Sequence, residues 1–158
     1  MNLNTLVVVA DSARARLFRM QRTTAPRAPI QLLEAESLVH PESRVKEGER
    51  HSGSFPAGVR SGKVGQGHTL DDHRGAHEAE ERRRFAKAIA QSVSRSVKAN
   101  AHNPVIAVAT YAMHALLSSE LERDLPKEVR VRSEIGEFSE LTPSELLEEL
   151  QQRGAFQT

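Results

Sequence analysis

Leu6-Val7-Val8-Val9-Ala10-Asp11-Ser12-Ala13-Arg14-Ala15-Arg16-Leu17-Phe18-Arg19-Met20 sets two kinds of strand side by side. Leu6 to Ala10 is an unbroken apolar run, rich in β-branched residues, as expected for a strand covered on both faces. Asp11-Ser12 punctuates it. Ala13 to Met20 then alternates apolar with basic, the period-2 pattern of a strand with one solvated face. The prolines at 26 and 29 mark a turn, and Ile30 to Val39 is expected to form a third strand, although its alternation is less clean. Three strands joined by short turns suggest an antiparallel meander.

The pattern changes beyond Val39. Seven of the nine glycines lie between His40 and Ala76, where apolar periodicity almost vanishes. Freezing such a segment costs much conformational entropy and gains little apolar burial, so a long mobile loop over about 41–76 is expected. From His77 the period becomes helical. Phe85, Ile89, Val93 and Val97 recur at i+4 with Ala86 and Ala90 beside them. Val105 to Ala109 reads as a second buried strand, parallel because it follows a helix. Tyr111 to Arg123 reads as a second helix, Val129 to Ile135 as an edge or half-exposed strand. Thr142-Pro143-Ser144-Glu145 is a helix start, with a capping residue and proline at the first helical position. The predicted order is βββ, loop, αβαβα: a single α/β domain over 1–158 with a mixed five-stranded sheet and helices on its faces.

Composition narrows the function. A net charge of +1 argues against a generally basic coat for nucleic acid, so any such contact would be local. The chain has no cysteine, which removes disulfides and thiolate metal sites. No stretch approaches the roughly 20 apolar residues of a membrane helix, and Leu6 to Ala10 lacks the flanks of a secretory signal. The expected location is cytoplasmic.

The loop carries the first candidate chemistry. Arg50, Arg60 and Lys63 lie there with His51 and His68, and no carboxylate falls between Arg50 and Leu70. Glycines let that backbone approach a partner and offer its N–H groups to anions, so it suits an RNA backbone. The alternative is a flexible insertion without a partner. Gln66, between Gly65 and Gly67, presents an amide that can position water or stabilise an oxyanion. Asp72, His73 and His77 are the weak metal candidates, since the second histidine of a His-Glu-x-x-His motif is missing. Arg82, Arg83 and Arg84 follow Glu78, Glu80 and Glu81 at ion-pairing spacing, with a grip on phosphate as the other reading. Asp11 and Ser12, at a strand end, either line a site or make an Asx turn. No cofactor motif is present.

Three stretches carry a resemblance. Leu6 to Phe18, then Asp72-His73 with Glu78, Arg84-Phe85-Ala86 and Ile89-Ala90, then Leu141-Thr142-Pro143-Ser144-Glu145-Leu146 resemble the bacterial host attachment proteins. That family is similar in fold to the middle domain of archaeal and eukaryotic peptide-chain release factors, with a ribonuclease H-like mixed sheet and a Gly-Gly-Gln loop. The resemblance implies that Gly65 and Gln66 stand at the last Gly-Gln, although Val64 replaces the glycine before them. It also implies ribosomal or transfer RNA as partner, peptidyl-tRNA hydrolysis or ribosome rescue as activity, and Arg50, Arg60, Lys63, Arg74 and Arg84 as RNA contacts. Two other functions remain open: a protein-interaction module linked to attachment to host cells, and a metal-dependent hydrolase. The oligomeric state is not legible.

Overall fold

The computed structural model describes residues 2–22, 24–41 and 64–157, with the backbone alone over 64–74. Its sheet has five strands: β1 (Leu6–Ala10), β2 (Arg14–Arg22), β3 (Ile30–Val39), β4 (Val105–Ala109) and β5 (Val131–Ile135). Three helices are described: α1 (Val64–Asn100), α2 (Tyr111–Asp124) and α3 (Pro143–Gln152). The strand order is β3-β2-β1-β4-β5. β1 pairs antiparallel with β2, and β2 with β3, so the meander is as expected. β4 runs parallel to β1, and β5 parallel to β4.

β1 and β4 sit at the centre, and all ten of their residues are buried. Their side chains alternate into two cores. One face packs Leu6, Val8, Val105 and Ala107 against Phe85, Ile89 and Val93 of α1 and Met113, Leu117 and Leu121 of α2. The other packs Val7, Val9, Ile106 and Val108 against Leu146 and Leu150 of α3. Burying one such aliphatic side chain contributes about 1.5–3 kcal/mol, so each helix is held by its apolar stripe more than by propensity.

Two expectations need correction. α1 starts at Val64, well before His77. No proline interrupts residues 64–103, and backbone hydrogen bonding carries the helix through its glycines at a cost of only about 1 kcal/mol each. At 1.5 Å per residue its 37 residues span about 55 Å, far beyond five-residue strands of about 17 Å. Between Gly75 and Arg84 no residue is buried; packing begins at Phe85.

The second correction concerns β2. Its arginine face is not solvated: Phe18 and Met20 lie on it and are buried. β3 forms over Ile30–Val39 as expected, and its unclean alternation comes from a bulge. Leu17 pairs with Glu36 while Phe18 pairs with Glu34, so Ala35 is the extra residue and the faces exchange there. Leu32 therefore enters the α3 core, whereas Leu38 enters the α1 core.

Candidate interaction surface

The loop residues Arg50, Arg60 and Lys63, with His51, lie outside the described residues. Gly65, Gln66, His68, Asp72, His73 and Arg74 lie on α1, their side chains outside what is described. Arg84 is exposed on α1 and ion-paired, 3.4 Å from both Glu80 and Glu81. Arg83 pairs with Glu80 at 2.8 Å. The helix-face ion pairs read from the spacing thus form. His77 Nε2 stands 4.0 Å from Glu81 Oε1. Among the described residues, no group of three His, Asp or Glu side chains is placed to hold a metal ion. Asp11 makes the Asx turn: its Oδ1 accepts from the N–H of Ala13 at 2.7 Å and of Arg14 at 2.8 Å. That carboxylate oxygen shapes the β1–β2 turn.

Two features were not foreseen from sequence. His40 is buried at the end of β3, edge-on to Phe85 with centroids 5.0 Å apart. Its Nε2 stands 3.2 Å from the Glu81 carbonyl oxygen and 3.6 Å from the Glu81 carboxylate. His40 N–H still donates to the Ala13 carbonyl at 2.8 Å, so the ladder runs one residue past Val39. The other feature is an arginine clamp. Arg16 binds Glu34 through two hydrogen bonds of 3.0 and 3.1 Å. The same guanidinium donates to the carbonyls of Ser139 at 3.1 Å and Leu141 at 2.7 Å, and lies over the Phe18 ring. Arg14 also donates to the Ser139 carbonyl. The connection between β5 and α3 is thereby fastened to β2. Ala-Arg-Ala-Arg gives the alternation but not the partner, which lies more than 120 residues away.

The C-terminal rim of the parallel strands presents the other surface. Thr110 N–H continues the ladder to the Ala10 carbonyl, and Gly136 N–H does so to the Ala109 carbonyl. Gly136 sits where a Cβ would lie 2.9 Å from Val108 Cγ1, which lets the chain turn tightly out of β5. This turn and the start of α2 leave Tyr111 and Ile135 at the rim. Tyr111, the only tyrosine, is 86% exposed, and Ile135 is 48% exposed. His114 is one turn along α2 from Tyr111. His114, Ile135 and Arg153 line one shallow depression. Arg153 is fixed there by donating to the Ile135 carbonyl at 2.8 Å and by stacking over Phe138.

Fold and surface together define an α/β domain that exposes Tyr111 and Ile135 at the C-terminal rim of its sheet, with Arg153 beside Ile135. Residues 6–150 match the family described as "Protein required for attachment to host cells", and the chain belongs to that family. A comparison with curated proteins finds no match. The family description concerns attachment and names neither RNA nor the ribosome.

Proposed function

We propose that this chain is a non-enzymatic protein-interaction module that serves attachment to host cells, docking a partner protein on the Tyr111–Ile135 rim. The exposure of Tyr111 carries the reading. A tyrosine ring left outside both cores offers a large, rigid contact area at low entropic cost. Ile135 supplies an apolar contact at the same strand ends, and Arg153 is already ordered by its own bonds, so little is lost in fixing it on binding. The family membership supports the setting. No helix among the described residues is long and apolar enough to cross a membrane. The proposed place of action is the cytoplasm, a reducing compartment that suits a cysteine-free chain. The effect on attachment would then run through the bound partner.

Site-specific photocrosslinking in cells tests this. A crosslinker at position 111 should capture one defined partner, a crosslinker at exposed Lys98 should not, and Ile135→Ser should abolish the capture at 111. Equal labelling from both positions would reject the rim as a docking site.

A further inference from the structure

Val129-Arg130-Val131-Arg132 alternates because the two valines pack toward the α1–α2 core while the arginines take the opposite face. The sequence suggests that such arginines guard the edge strand. Their placement does something more specific. Past α3 the chain reverses at Gly154, whose φ of +67 is glycine's region. Ala155 to Gln157 then returns across the N-terminal ends of β1, β4 and β5. A cleft of about 300 Å3 remains between this segment and the strand ends. That is the lower end of the range for small-molecule sites.

The lining is mixed in chemistry. Ile106, Pro104, Ala155 and Phe156 are apolar. Arg132, the register partner of Ile106, is already committed: it pairs with Glu134 at 2.8 Å and donates to the Gly154 carbonyl at 3.0 Å. Arg130 is exposed and has no ion-pair partner among the described residues. Its backbone is nonetheless fixed, its N–H donating to Asn103 Oδ1 at 3.0 Å and its carbonyl accepting from Val105 N–H at 2.8 Å. Glu134 is taken up by Arg132 and, at 3.7 Å, by Arg153, so Arg130 is left without a carboxylate beside the apolar lining. We infer that this cleft binds a small monoanionic carboxylate with an apolar body, the acid bidentate on Arg130 and the body against Phe156 and Ile106. A guanidinium fork matches a carboxylate in geometry. A dianionic phosphate would need a second free cation, and Arg132 does not supply one.

The test is a titration of the full chain followed by amide and arginine Nε–H resonances, with benzoate, benzyl alcohol and inorganic phosphate as probes. Benzoate should give saturable shifts at Arg130, Val131 and Gln157 in the millimolar range. Benzyl alcohol, which keeps the ring and lacks the acid, should bind roughly ten-fold more weakly, and Arg130→Gln should erase that difference. Phe156→Ala should weaken both ring probes. No saturable shift, equal affinity for acid and alcohol, an Arg130→Gln protein that still prefers the acid, or phosphate binding as tightly as benzoate would each overturn the assignment.

Discussion

Arg16→Ala is the substitution whose cost follows most directly from the geometry. The guanidinium makes four hydrogen bonds, two to Glu34 and two to carbonyls of the β5–α3 connection. Its side chain is 13% exposed and that of Glu34 is 35% exposed, so the ion pair is partly screened. Hydrogen bonds to a charged group contribute about 1.5–3 kcal/mol each. The exposed side of Glu34 recovers water in the variant, and about 2 kcal/mol of arginine rotamer entropy is released. The stack on Phe18 adds roughly 0.5–1 kcal/mol. The net expectation is a loss of about 2–3 kcal/mol, because the Leu141 carbonyl loses its arginine donor and the buried Ser139 carbonyl is left with Arg14 alone. For a chain of this size that lowers Tm by roughly 5–10 °C. The chain has no tryptophan and one exposed tyrosine, so far-UV circular dichroism in urea is the suitable assay. The midpoint should fall with the slope unchanged. Arg14→Ala should cost less than half as much, since its ion-pair partner Glu140 is 89% exposed. A loss below about 1 kcal/mol for Arg16→Ala, or equal losses for the two arginines, would refute the clamp.

Three further outcomes follow from local geometry. Thr142 caps α3, its Oγ1 accepting from Glu145 N–H at 3.2 Å, so Thr142→Ala should cost about 1 kcal/mol in urea denaturation. Gly136→Ala drives a methyl against Val108 and should destabilise by about 1–3 kcal/mol, read as a lower Tm. Ala101 holds a φ of 52 where α1 ends, so Ala101→Gly should raise stability by roughly 0.5–1 kcal/mol despite glycine's looser unfolded state.

The parts of the fold legible in the sequence are those fixed by short-range pattern. Leu6–Ala10 and Val105–Ala109 are apolar throughout because helices cover both sides of the central strands, and that burial is written in every residue. The α1 stripe from Phe85 to Val97 and the Thr142–Glu145 cap are local for the same reason. What long-range contact decides was not legible. The bulge at Ala35 exchanges the faces of β3, so no single alternation fits Ile30 to Val39. Arg14 and Arg16 alternate as solvated residues would, yet their partners arrive from the connection before α3. The helix start at Val64 was hidden by glycines, which lower propensity without forbidding a helix. The exposure of Tyr111 gave no signal. Tyr111 follows a buried strand and opens a helix, a place where sequence does not tell core from surface.

The rim is tested most directly by attachment itself. Cells lacking the native chain are supplied with wild type, Tyr111→Ala or Tyr111→Ala with Ile135→Ser, at matched protein levels and with unchanged Tm, and their attachment to host cells is counted. The account predicts restored attachment with wild type, a clear loss with Tyr111→Ala and a deeper one with the pair. Attachment at the wild-type level with the double variant would contradict it.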